Sequence, residues 1–211
     1  MIKNKFIVIE GIDGSGKTNA CIFIKKILNK KNIKKILLVR QPGSTHIAES
    51  IRNLIKKKFY NENMVKETEL LLMYAARVQL IEKVIKPALK KGIWVISDRH
   101  DLSSLAYQGG GLNVNKKFIN TLRKFLLGAF IPDLTIYLDV YPKIGLKRIY
   151  KRKVLDVIET RSLDFFTRVR KSYLKNIKLH NNIIINANKN INTVHENIKH
   201  QLLKWLKNQI I

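Results

Sequence analysis

The chain has 211 residues, 45% of them hydrophobic, and carries 41 Lys and Arg against 15 Asp and Glu, a formal charge of +26 with one cysteine. That length suits one well-buried domain, and no Pro-, Ser- or Gly-rich linker or internal repeat divides it. A single cysteine excludes an intrachain disulfide framework, and apolar runs of strand length exclude a membrane-spanning segment.

Phe6 to Ile9 is an apolar run leading into Glu10-Gly11-Ile12-Asp13-Gly14-Ser15-Gly16-Lys17-Thr18, after which Ala20, Ile24, Ile27 and Leu28 recur at helical spacing. Gly11, four residues, then Gly16-Lys17-Thr18 between a strand and a helix is the phosphate-loop pattern. Its glycines let the backbone N–H groups of residues 11–16 point inward at a polyphosphate, aided by the positive end of the following helix. Lys17 is expected to reach the β- and γ-phosphates of a nucleoside triphosphate, and the Thr18 hydroxyl to take a place on Mg²⁺. Residues 1–10 enter the first strand with no cleavable-signal pattern, so a cytoplasmic protein is expected, with Cys21 a small core residue.

Lys35 to Val39 reads as a second strand ending at Arg40-Gln41-Pro42-Gly43-Ser44-Thr45, a turn in which Ser44 or Thr45 caps a helix carrying Ile47, Ile51, Leu54 and Ile55 on one face. Residues 66–91 read as one long helix, apolar almost all round from Leu70 to Ala76 and therefore buried on most sides. Met73 and Arg77 share a face of it, and Arg77 has two readings: a structural salt bridge, or a hydrogen bond to the edge of a ligand base that Met73 covers. Residues 93–99 form a third strand, at whose end Asp98 is placed to hold Mg²⁺ or its water shell and Arg99 to lie beside the transferring phosphoryl group. The stretch from His100 to Gly111, with polar groups, an aromatic ring and three glycines, reads as the lip of a pocket.

A helix from about Asn115 to Leu127 precedes a fourth strand over residues 132–139. The basic run at 147–153, followed by residues 155–159, has two readings: a solvated helix face, or, after a strand in a P-loop protein, a lid whose arginines close over a triphosphate. Asn182 to Ala187 is a fifth strand and Val194 to Leu206 a closing amphipathic helix. Alternating strands and helices specify an α/β fold, a three-layer α/β/α sandwich around a five-stranded parallel sheet of the P-loop NTPase type, with residues 1–211 as one domain and a lid at about 147–159.

The stretches Glu10 to Thr18, Arg40-Gln41-Pro42-Gly43, Tyr74-Ala75-Ala76-Arg77, Asp98-Arg99-His100 with Ser103, Ala106, Tyr107 and Gln108, and Asp133 to Asp139 together resemble the bacterial thymidylate kinases over nearly the whole chain. The resemblance implies transfer of the γ-phosphoryl group of ATP to dTMP with Mg²⁺, usually in a homodimer. Carried over by position, it implies that Asp13 contacts the acceptor sugar's 3′-hydroxyl. Arg99 bridges the acceptor phosphate and the γ-phosphate, and Arg40 lies near the acceptor phosphate. Arg77 bonds the thymine edge, Ser104 and Gln108 lie near the base, and Tyr107 packs on the sugar where a ribose 2′-hydroxyl would need room. Some relatives keep a basic residue inside the phosphate loop, where this chain has Gly14. The lid is therefore expected to supply the charge, from Arg152 first and Arg148 second.

The chain departs from the family pattern at Met73, in place of a stacking phenylalanine, at Gln41 and Ser44 in the turn after the second strand, and at Val157 in the lid. Met73 leaves another small nucleotide open as acceptor. A nucleotide-dependent switch or nucleic-acid binder is the reading from another class, and two features weigh against it. There is no Asn-Lys-x-Asp stretch, and the lysines, spread from Lys3 to Lys207 among many Ile and Asn residues, fit an A/T-rich coding bias without a basic partner surface. Weak, salt-sensitive adhesion to polyanions is still expected.

Overall fold

The computed structural model describes residues 4–151, 155–177 and 181–209. Five strands, β1 Phe6–Glu10, β2 Ile36–Arg40, β3 Trp94–Asp98, β4 Leu134–Asp139 and β5 Asn182–Asn186, form one parallel sheet in the order β2-β3-β1-β4-β5. β1 and β4 are buried along almost their whole length, as continuous apolar runs in a parallel sheet must be, whereas the edge strands β2 and β5 are partly open. Successive connections leave β1 on one side toward β2 and β3 and then on the other toward β4 and β5. The carboxyl ends of β1 and β3 thereby flank the crevice where open α/β sheets bind ligands.

The strand period of two divides the core between two faces. Ile7 and Ile9 face a large cluster with Ile24 and Leu28 of α1 (Lys17–Lys30) and with Ile198 and Leu202 of α9 (Ile191–Lys207). Phe6 and Val8 face a smaller cluster with Leu80, Ile81 and Ile85. Each such fully buried aliphatic side chain contributes about 1.5–3 kcal/mol relative to exposure, so the two clusters account for the three-layer packing.

The helix expected over residues 66–91 is interrupted: α3 spans Lys66–Leu80, a π-helical turn Ile81–Ile85, and α4 Lys86–Lys90. Pro87, which has no N–H to give the preceding turn, lies just beyond the irregularity. Nor is α3 buried on most sides: Leu71 is 48% exposed and Ala75 also faces outward. α2 (His46–Lys56) is capped by Thr45, whose hydroxyl accepts from the Ala48 N–H at 3.1 Å. Its apolar stripe splits, Ile55 turning inward while Ile47 and Leu54 stay exposed.

The pocket-lip reading of residues 100–111 holds for Ser103, Ser104, Tyr107 and Gln108, which line a cavity, and not for the glycines. α5 (Asp101–Ser104) and a π-helical segment (Leu105–Gly111) are almost wholly buried. They pack against α8 (Leu163–Asn176), which the sequence reading passed over, although Phe165, Phe166, Val169 and Tyr173 are spaced as one helical face. The glycines serve that packing: a β-carbon on Gly110 would lie 2.4 Å from Ser172 Cβ, and one on Gly111 2.4 Å from the Phe165 ring. The remaining helices are α6 (Lys116–Leu127), started by Asn115, and α7 (Pro142–Ile149), which takes in the first part of the basic run. Among the described residues no helix is long and apolar enough to cross a membrane.

Candidate active site

β1 ends in the phosphate loop, whose turns need Gly11, Gly14 and Gly16 at φ of 151°, 75° and 92°. Gly14 is also crowded: a β-carbon there would lie 2.2 Å from the Gly145 carbonyl oxygen of α7. α1 begins directly after Gly16, so its free N–H groups face the loop's concavity. The Lys17 ammonium donates to the Ile12 carbonyl at 2.9 Å and lies 3.9 Å from Asp13. Burial, with the nearby charge of Arg99, holds it below the ordinary lysine value. Ser15 Oγ, also buried, has no hydrogen-bond partner among the described residues.

Two strands away in sequence but adjacent in the sheet, β3 brings Asp98 to Thr18, whose hydroxyl donates to Asp98 Oδ2 at 2.9 Å. A hydroxyl and a carboxylate are hard oxygen donors of the kind Mg²⁺ takes alongside substrate phosphates. Among the described residues no group of three or more His, Cys, Asp or Glu is placed to hold a metal ion.

Arg99 follows at φ 73°, a left-handed backbone that a non-glycine residue adopts under constraint. Nη1 donates to the Gly11 carbonyl at 2.9 Å and to the hydroxyls of Ser103 and Tyr173 at 3.3 Å. Nη2 donates to Asp13 and, at 3.1 Å, to the Tyr107 hydroxyl, which itself donates to Asp13 Oδ2 at 2.8 Å. Burial alone would raise the Asp13 carboxyl, but Arg99, Lys17 and the Tyr107 hydroxyl hold it well below the usual carboxylate range. Beneath the arginine, buried Glu10 accepts from the His100 N–H at 2.8 Å, the Ser103 hydroxyl at 2.7 Å and the Tyr173 hydroxyl at 3.0 Å. Burial pushes its pKa up.

Farther along the crevice, Arg77 of α3 is 3% exposed and donates to Gln41 Oε1 at 3.1 Å, the His100 carbonyl at 3.1 Å and Ser104 Oγ at 2.9 Å. No carboxylate lies within 4.0 Å of it among the described residues, although its charge helps hold the Asp101 carboxyl below its usual value, and its Nη1 has no hydrogen-bond partner there. Gln108 donates to buried Glu69 at 2.9 Å, and Glu69 also receives Arg161 of the segment before α8.

Of these groups, Asp13, Lys17, Thr18, Gln41, Arg77, Asp98, Arg99, Ser104, Tyr107 and Gln108 line one cavity of about 600 Å³, within the range of nucleotide-sized sites. A family model described as thymidylate kinase matches residues 9–198. The chain belongs to the thymidylate kinase family. It is 66% identical to a thymidylate kinase of Buchnera aphidicola subsp. Schizaphis graminum over 212 residues, covering the full length of both chains. It is equally 66% identical, again at full coverage, to that of Buchnera aphidicola subsp. Acyrthosiphon pisum. The thymidylate kinase of Wigglesworthia glossinidia brevipalpis is 49% identical over 234 residues at full coverage.

Within this thymidylate kinase fold, the cavity brings together Asp13, Gly14, Gly16, Lys17, Thr18, Arg40, Met73, Arg77, Asp98, Arg99, Ser104, Tyr107 and Gln108. Gly11, Ile12 and Ser15 form the buried wall of the loop behind it. Arg40 is half exposed and paired with Glu49 at 2.9 Å. Arg148 sits apart, donating to the carbonyls of Gly14, Ala187 and Lys189 at 3.0–3.3 Å. Arg152 lies outside the described residues.

The sequence reading missed Arg52, which lines the cavity and donates to the Pro42 carbonyl at 2.9 Å. Its place three residues after Glu49 on α2 was the available signal. Tyr173 was missed with its helix.

Proposed function

We propose that this thymidylate kinase transfers the γ-phosphoryl group of ATP to dTMP, with Mg²⁺ held by Thr18 and Asp98 and supplying charge neutralisation at the phosphates. The observation that carries the proposal is one cavity lined both by Lys17 of the phosphate loop and by buried Arg77. One end suits a polyphosphate, and the other offers a fixed donor to a carbonyl on a base edge. Phosphoryl transfer needs alignment and positive charge more than covalent help, and Arg99 is locked in place by five partners before any substrate arrives. Asp13 spends one oxygen on Arg99 and the other on Tyr107, and its remaining lone pairs accept the acceptor's 3′-hydroxyl. Tyr107, fixed by that bond, fills the space a 2′-hydroxyl would need. Arg40 and Arg52 attract the acceptor phosphate, Ser104 and Gln108 flank the base, and Met73 covers its face.

Residues 1–211 act as one kinase domain whose segment 147–159 is the lid. Arg152 supplies the charge that Gly14 lacks, and Arg148 backs the donor side. A cytoplasmic homodimer fits the exposed Ile47 and Leu54 of α2 beside Val65 and Leu71 at α3.

ADP formation with dTMP, dUMP, CMP and AMP tests the acceptor. The highest kcat/KM is expected for dTMP, with dUMP lower by about tenfold or more for the missing methyl group. A higher value with CMP or AMP refutes the reading. Arg152→Ala should lower kcat far more than it raises the KM for dTMP, and equal turnover removes Arg152 from the mechanism.

A further inference from the structure

We propose that Glu69 is a positioning residue that sets which pyrimidine edge the acceptor pocket takes, by fixing the sense of the Gln108 amide. The proposal rests on the kinase reading above. Gln108, 1% exposed, donates from Nε2 to Glu69 Oε1 at 2.9 Å. The same carboxylate receives Arg161 as a fork, Nη2 donating to Oε2 and Nη1 to Oε1 at 3.3 Å. The Arg161 guanidinium in turn lies over the Phe165 ring, 4.7 Å from its centroid. Gln108 lines the cavity, whereas Glu69 and Arg161 stand behind its wall, Glu69 only 4% exposed. Glu69 therefore acts on an occupant through Gln108.

A glutamine amide can present either end to a ligand, oxygen as acceptor or nitrogen as donor. Glu69 removes that freedom. An ionised carboxylate only accepts, so turning the Gln108 amide over would set oxygen against oxygen in a buried site, where the mismatch is costly. The nitrogen end is held against Glu69, and the oxygen end is left for an occupant of the cavity. Arg77, lining the same cavity, brings only N–H donors. An acceptor together with a donor fits the imide edge of thymine or uracil, an N–H flanked by carbonyl oxygens. Cytosine inverts that edge, with a bare ring nitrogen and an amino group in their place. The pocket thus rejects cytosine by polarity, not by size, and Glu69 holds the polarity.

The substrate pair dTMP and 5-methyl-dCMP tests the proposal, because the two bases share the methyl group and the outline and differ only at the edge. Wild type should prefer dTMP in kcat/KM by about a hundredfold or more. In Glu69→Gln the new amide can donate, Gln108 can turn over, and that ratio should fall by about tenfold or more. A merely structural loss would lower both substrates alike and leave the ratio where it was. Gln108→Leu should also lower the ratio, and adding Glu69→Gln to it should lower the ratio no further. A further fall in the double variant overturns the route through Gln108. Should Glu69→Gln not fold, equal use of the two substrates by the wild type still overturns the proposal. A wild type that phosphorylates neither overturns the kinase reading itself. A wild type selective for dTMP, with the ratio unmoved in Glu69→Gln, overturns the role of Glu69 alone.

Discussion

Lys17 is an ammonium kept in a site that disfavours its charge. Burial and Arg99 lower its pKa in the free protein, and a bound triphosphate, being anionic, raises it again. ATP binding should therefore take up a proton once the pH is high enough for free Lys17 to be partly neutral, and affinity should fall as pH rises further. Calorimetry in buffers of different ionisation enthalpy reads the uptake directly, and Lys17→Met should abolish it. Arg77 offers a second test. Arg77→Met removes a buried cation that lines the cavity, together with its hydrogen bonds to Gln41 Oε1, the His100 carbonyl and Ser104 Oγ. The KM for dTMP should rise about tenfold or more, and urea denaturation should show a loss of about 1–3 kcal/mol. At this scale the sequence was informative where chemistry fixes spacing: Lys17, Thr18, Asp98 and Arg99, singled out from the motifs, line one cavity. It was uninformative where partners come from distant segments. The Glu10–Tyr173 contact spans 163 residues, and neither side chain carries a motif that announces the other.

Among the elements, the packing of the π-helical segment against α8 is the least tolerant joint. Gly110→Ala would press a methyl group against Ser172 Cβ, an atom with no side-chain torsion to move it aside. A destabilisation of about 1–3 kcal/mol is expected by urea denaturation, with Arg99 affected through Ser103 and Tyr173. Elements with a motif or a strong apolar run were readable. α8 was not read because nothing in it resembles catalytic chemistry, even though its apolar spacing is regular. The triple glycine misled for a related reason: composition alone does not separate a glycine that frees a loop from one that lets two helices touch.

For the whole molecule, the alternation of strands and helices was enough to give a parallel sheet in three layers. The neighbour order β2-β3-β1-β4-β5 was not accessible, because periodicity identifies strands without saying which of them pair. Exposed Leu71 on α3 belongs to this scale. If that face meets its copy, Leu71→Asp should convert a dimer to a monomer in sedimentation velocity while leaving the urea midpoint of the monomer nearly unchanged. The +26 charge is spread along the sequence from Lys3 to Lys207. Its expected signature is weak retention on duplex DNA that disappears as salt rises.

The contact between Gly14 and Gly145 also restricts the mutational routes open to this sequence. A basic side chain cannot enter the phosphate loop at position 14 by a single replacement, since its first carbon would meet the α7 backbone before any charge could act. α7 would have to retreat beforehand, and a β-carbon on Gly145 would itself lie 2.8 Å from the Asp13 carbonyl oxygen. Each glycine is thus held by the backbone of the other's segment. A lineage with this pair stays committed to importing its positive charge from elsewhere in the fold.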